Sequence, residues 1–302
     1  MTLQELRYIV ALADTGHFGQ AAEQCFVSQS TLSTQIKKLE DYLGIPIFDR
    51  SLKRVEPTAT GVEIVSSARM ILEEAKRIRE LSQLSQNPMD RTVHLGIIPT
   101  LGPYYLPHVL TTVRTAHPRL RMLLREEMTP HLLAHLHEGK LDGGLLALPM
   151  PDSRLEIVPL FEEPFLAAVP SKHPLAAEDS INITTLAQAG LMLLEEGHCL
   201  RDQALEACHL EGLASEEIRA TSLETLRQMV AMNLGVTLIP TLAAQDQSGQ
   251  SLPITLRPLQ PPGASRIICL VWRKRAPMAE TLRQLADTLL QVLPQAVQPI
   301  RR

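Results

Sequence analysis

The apolar positions of the first sixty residues keep a helical rhythm broken by short polar turns. Leu3, Leu6, Ile9, Val10 and Ala13 share one helical face, and DTGHF at 14–18 ends it. A second short helix, GQAAEQCF, is predicted to carry Ala21, Ala22, Cys25 and Phe26 inward. After a turn at Val27-Ser28, QSTLSTQIKKLEDYL sets Leu32, Ile36, Leu39 and Leu43 on an apolar face. Gln29, Ser30, Ser33, Gln35, Lys37 and Lys38 hold the other face. A short helix, a tight turn and a second helix with a polar leading end form the helix-turn-helix pattern. Small hydroxyl and amide side chains there can meet base edges and phosphates. IPIFDRSLKRVEPTATG then predicts a β-hairpin wing offering Arg50, Lys53 and Arg54 to phosphate. The competing reading is a plain three-helix module with solvated polar faces.

From Gly61 to about Gln86 one long helix is predicted. Ile64, Ala68, Ile71, Ala75 and Ile78 recur at spacings of four and three, the signature of a coiled-coil seam. Such a seam implies a dimer; a helix packed on its own domain is the alternative. SQNPMD at 85–90 ends the helix. From Arg91 the pattern alternates: TVHLGII, LRMLLRE, GGLLAL, FLAAVP, LMLLEE, VTLIP and RIICLVW are short apolar runs. Helical stretches such as YYLPHVLTTVRTAH and LETLRQMVAMNL lie between them. This predicts an α/β region with largely parallel sheets, in which a ligand favours a crevice between lobes or at strand ends.

Composition changes this picture little. The chain has 302 residues, 45% hydrophobic and 21% charged, with a net charge of -4. Length suggests two domains at about 150 residues each. Any nucleic-acid partner must use a local patch, and residues 1–62 hold six Lys/Arg against seven Asp/Glu. Non-specific DNA affinity should be modest and salt-sensitive. MTLQELRYIV lacks the features of a secretion signal, and no apolar run reaches about 18 residues, so a cytoplasmic setting without membrane contact is predicted. Ordinary thiols there stay reduced, and disulfides tend to be catalytic or sensory.

That compartment makes GHCLRDQALEACHL at 197–210 the chemical puzzle, because it holds two of the four cysteines. LRDQALEACHL contains no breaker and reads as a helix. Nine helical residues rise about 13 Å and turn about 900°, leaving Cys199 and Cys208 on opposite faces. A disulfide needs α-carbons within roughly 7 Å. Either the two never pair, or pairing unwinds the helix. A helix start near Cys199, with His198 and Arg201 close in sequence, favours a thiolate there. Burial as small hydrophobes is the bland alternative, and it is the reading for Cys25 and Cys269. A zinc site from His198, Cys199, Cys208 and His209 lacks the usual close ligand pairs. His131 and His135, one helical turn apart, read as a solvated face, so no metal or cofactor is predicted. Thr100 and Thr129 each precede a probable helix and could simply cap it.

HFGQAAEQCFVSQSTLSTQIKKLEDYLGIPIFDR at 17–50 resembles the N-terminal motif of LysR-type transcriptional regulators. HLGIIPTLGPYYLPHVL, GHCLRDQALEAC and RATSLETLRQMVA resemble that family's peroxide-sensing branch, and the likeness spans nearly the whole chain. The resemblance implies a winged helix over 1–60, a dimerising linker helix over 61–87 and a regulatory region over 88–302. Two Rossmann-like lobes would cover about 90–161 plus 268–302, and about 162–267. It makes Cys199 the peroxide-reactive thiol and Cys208 its disulfide partner. Thr100, Thr129 and Arg266 match residues near that thiol, and His198, Arg201 and Asp202 complete the expected pocket. Ser28, Gln29, Ser30, Ser33 and Gln35 match the promoter-reading stretch. One departure is Glu217, where the pattern has a histidine. The implied protein is not an enzyme: promoter DNA is its partner, hydrogen peroxide its signal, and a homodimer or homotetramer its assembly. Rivals are a regulator answering a small organic effector with inert cysteines, a thiol peroxidase and a solute-binding module.

Overall fold

The computed structural model describes residues 1–50, 54–83, 88–208, 219–244 and 252–300. The chain divides into two compact units, 1–87 and 88–302.

In the smaller unit, α1 (Leu3–Thr15) starts at a capping box. The Thr2 hydroxyl accepts from the Glu5 amide while the Glu5 carboxylate accepts from the Thr2 amide. Gly16 closes the helix at φ 68, a conformation open to glycine without strain. α2 (Phe18–Gln24) follows, and then α3 (Gln29–Leu43), capped by Ser28 and closed by Gly44. Leu6, Ile9, Leu12, Ala21, Leu32 and Ile36 interlock as the core, whereas Leu3 and Leu43, at the helix ends of the expected apolar faces, are exposed. β1 (Phe48–Asp49) and β2 (Glu56–Pro57) pair antiparallel as the wing. α4 (Ala59–Gln83) leaves the wing at Gly61, where a Cβ would fall 2.0 Å from the Ile47 carbonyl oxygen.

Two expectations change here. Phe26 was assigned inward, yet it is 95% exposed, because the turn places it at φ 58 and swings the ring outward. The seam of α4 divides: Ala68 is buried in the unit's own core and Ile64 packs against it. Further along, Ile71 and Ile78 are exposed. Helical spacing identifies an apolar stripe but cannot say which neighbour covers each part.

The larger unit opens with β3 (Thr92–Ile97), α5 (Gly102–Ala116), β4 (Arg121–Glu126), α6 (Thr129–His137) and β5 (Gly143–Ala147). β3 pairs parallel with both β4 and β5. β6 (Leu155–Pro170) is a 16-residue strand, far longer than the FLAAVP run suggests. Then come α7 (Ile183–Gln188), β7 (Leu193–Leu194), α8 (Cys199–Ala207), β8 (Arg219–Ala220) and α9 (Leu223–Ala231). β9 (Thr237–Pro240), β10 (Ile254–Pro258), β11 (Ser265–Arg273), α10 (Ala279–Gln291) and β12 (Gln298–Pro299) complete it.

The sheet order is β10-β6-β11-β5-β3-β4, with β9 and β12 also on β6. The first part of β6 pairs with β11 and its last residues with β9 and β10, so one strand serves two halves of the unit. The expectation of largely parallel sheets is corrected. β6 and β11 meet every strand partner antiparallel, and parallel strand pairs are confined to β3–β4, β3–β5 and β7–β8 among the described residues. Fully buried strands read as apolar runs whichever way they point, so composition carried no direction. A register shift opposite Ile268 and Cys269 falls beside Pro159, which cannot donate to a ladder.

Candidate functional site

β7 delivers the chain to α8 through Gly197, at φ 96, where a Cβ would lie 2.8 Å from the Met128 sulfur. Cys199 is the first residue of α8 and packs against the core. Thr129 opens α6 beside it, and the Thr129 hydroxyl has no other hydrogen-bond partner. Arg266, at the start of β11, is fully buried, and each of its three guanidinium nitrogens donates a hydrogen bond. Its Nε donates to Glu163 at 2.8 Å, Nη1 to the Thr100 hydroxyl at 2.8 Å and Nη2 to the Thr100 carbonyl at 2.9 Å. Glu163 also accepts from the Leu242 amide at 2.8 Å. Thr100 and Thr129 therefore do not cap helices with their side chains; one anchors Arg266 and the other faces the thiol.

Burial pushes the Cys199 thiol above the ordinary cysteine value. The Arg266 guanidinium opposes this most, followed by the Thr129 hydroxyl and the Leu200 amide, while Asp202 adds to the rise. The helix start does not outweigh desolvation, so the thiol form is favoured at rest. The sequence-adjacent cations also play other parts than expected. Burial drives His198 below the usual histidine range, which favours the neutral ring. Arg201 is buried and directs Nη1 toward the Leu194 carbonyl at 3.4 Å. Asp202 is exposed and reaches Cys199 only through its charge.

Cys208 caps the far end of α8 and is buried among apolar residues, where desolvation alone raises it to about 11. Nine helical positions, about 13 Å of rise, separate it from Cys199. Cys269 is wholly buried, with its thiol 3.4 Å from the Leu146 carbonyl; burial, and then the charge of Cys199, raise it to about 12. Cys25 is only half-buried. Glu163 escaped the sequence reading, although two acidic residues inside an apolar strand were its visible sign. Among the described residues no three His, Cys, Asp or Glu gather as metal ligands. His135 lies 2.9 Å from Glu127 and His131 is exposed. His209 and Glu217 lie outside the described residues.

In the smaller unit Ser28, Gln29, Ser30, Lys37 and Lys38 are exposed on α3, and Ser33 and Gln35 are half-buried. The Ser28 hydroxyl accepts from the Thr31 amide, so one side chain both starts the helix and fronts its polar face. Arg50 is engaged: it pairs with Glu40 at 2.7 Å and lies 5.3 Å from the Phe18 ring centroid. Arg54 lies against Gly16, and Lys53 falls outside the described residues. No helix among the described residues is long and apolar enough to cross a membrane.

A winged helix-turn-helix followed by an α/β unit is the architecture of a DNA-binding regulator with a second, separate domain. Residues 3–62 match the bacterial regulatory helix-turn-helix protein, lysR family, and residues 86–294 match the LysR substrate binding domain. The DNA-binding transcriptional dual regulator OxyR of Escherichia coli is 42% identical over 96% of this chain and 95% of its own. The full-length C199D variant of OxyR from Pseudomonas aeruginosa superposes with a TM-score of 0.83 at 40% identity, over 100% of this chain and 99% of that one. A crystal structure of an oxidized form of OxyR matches at 0.61 and 41% identity, over 68% and 97% of the two chains. The chain belongs to the LysR family of transcription regulators, in its OxyR branch.

Proposed function

We propose that this chain is a DNA-binding transcription regulator switched by hydrogen peroxide through Cys199 and Cys208. The observation that carries the reading is one helix with two unlike cysteines: Cys199 beside Arg266 and Thr129, Cys208 in apolar surroundings. Relatives named hydrogen peroxide-inducible genes activator support it.

Deprotonated Cys199 attacks one peroxide oxygen, the O–O bond breaks, and the departing hydroxide takes a proton to become water. Arg266 offsets the negative charge at sulfur, and Thr129 donates a hydrogen bond to it. The Cys208 sulfur then attacks the sulfenic acid, an S–S bond forms and a second water leaves. Two thiols are oxidised and one peroxide is reduced. Because α8 holds these sulfurs apart, closing the bond requires the helix to unwind. Thr100 positions Arg266, and His198, Arg201 and Asp202 frame the helix start.

The unwinding reaches DNA through assembly. Residues 1–60 bind promoter DNA, with Ser28, Gln29, Ser30, Ser33 and Gln35 reading bases, and Lys37 and Arg54 on phosphate. Residues 61–87 pair two copies through the exposed Ile71 and Ile78, and 88–302 carries the switch in two lobes. A homotetramer of two such dimers on DNA, in the cytoplasm, completes the proposal.

Peroxide treatment followed by a non-reducing peptide map should recover a Cys199–Cys208 link. Cys199→Ser should keep DNA binding and lose the peroxide-dependent change in footprint. A response unaltered in that variant would sink the mechanism. For the DNA face, Gln29→Ala should weaken specific more than non-specific binding, and equal losses would reject base reading there.

A further inference from the structure

Gln203 and Glu206 lie four and seven positions beyond Cys199, on the same face of α8. With Ala207 they line a cleft of about 1040 Å³, whose other walls come from the loop after β5, the start of α7 and the segment leading into β11. Thr100, Thr129 and Cys199 do not line it; Arg266 alone is common to this space and the thiol cluster.

Its chemistry is one-sided. Leu148, Met150 and Ile183 offer apolar surface. Glu162 and Glu206 bring two carboxylates, whereas the one cation lining it among the described residues, Arg266, is spent on Glu163 and Thr100. The Gln203 amide is 8% exposed; its Nε2 donates to the Leu148 carbonyl at 3.0 Å, and its Oε1 has no partner. Glu162 accepts from the Ser265 hydroxyl and has no ion-pair partner among the described residues. A buried carbonyl oxygen lacking a donor, in a cleft with two carboxylates and apolar walls, suits a ligand that is hydrocarbon at one end and a charged donor at the other.

We infer that this cleft binds a small organic cation, an amine with an apolar body. Its ammonium pairs with Glu206 and, after a modest turn of the Gln203 amide, donates to Oε1. Because Gln203, Glu206 and Ala207 belong to α8, the bound amine adds contacts that exist only while this segment is helical, and it favours that form by mass action.

The test is calorimetric titration of the reduced full-length chain with 2-phenylethylammonium, against 3-phenylpropionate as a probe of similar body and opposite charge. The amine should bind saturably at one site, at least about tenfold tighter than the carboxylate, and slow amide exchange over residues 203–207. Glu206→Lys changes an exposed side chain, so folding should survive while amine affinity falls at least about tenfold. Gln203→Leu should weaken the amine as well, and Cys199→Ser should leave it unaltered, marking the site as distinct from the thiol. No saturation by about 10 mM amine, equal affinity for the two probes, or undiminished binding in Glu206→Lys would each overturn the assignment.

Discussion

The two ends of α8 differ more than their shared residue suggests. Both cysteines are raised by burial, but at Cys199 a guanidinium, a hydroxyl and a helix amide pull the other way, while Cys208 has desolvation alone. Identical thiols on one helix thereby meet different surroundings, which under the proposed mechanism makes Cys199 the first reactant and Cys208 the second. α8 contributes the Leu200 amide at its first turn, and the rest of the contrast comes from what other elements bring to that end. Arg266 arrives on β11, Thr129 on α6 and Thr100 in the turn between β3 and α5, three segments distant in sequence.

The most severe way to erase the contrast is to remove Arg266. Arg266→Ala strands a buried Glu163 carboxylate, and loss of such a partner costs about 3–5 kcal/mol. Thermal unfolding should register that loss, and sulfenic-acid trapping should show Cys199 oxidation slowed at least about tenfold. Arg266→Lys keeps the charge but not the forked geometry, and should fall between the two. The pH dependence has a definite sign: because burial holds Cys199 above the ordinary value, its oxidation rate should climb with pH through neutrality. In Arg266→Lys that climb should move to higher pH, and an unmoved profile would show that the guanidinium does not tune the thiol.

Cys208→Ser sharpens the comparison from the other end. First-step oxidation of Cys199 should keep its wild-type rate, and the sulfenic acid should accumulate rather than close; a slowed first step would make Cys208 more than a resolving group. Thr129→Val removes a single hydrogen bond to sulfur, worth about 1 kcal/mol, so the first step should slow about fivefold. The smallest effect belongs to Asp202→Asn. This exposed carboxylate disfavours the thiolate, so its removal should speed oxidation by less than about threefold, seen only at low salt.

Much of this was legible along the chain. The helix-turn-helix was readable because its signals are local: periodic Leu32, Ile36 and Leu39, the break at DTGHF and the turn at Val27-Ser28. The separation of Cys199 and Cys208 was equally local, since helical rise and rotation depend only on counting residues. Phe26 was misplaced because a left-handed turn, not spacing, decides where its ring goes. The division of the α4 stripe was hidden because burial of Ala68 depends on α1, a partner that spacing does not name.

By itself the sequence determined the local elements, the two thiols and the conflict between helix and disulfide, because each follows from near-neighbour geometry. The tertiary structure decided strand direction, the neutral tendency of His198 and the distribution of charge around Cys199. Those depend on desolvation and on contacts between residues a hundred or more positions apart, such as Glu163 with Arg266. Pattern could identify which cysteine begins a helix; only folding could set a buried arginine beside it.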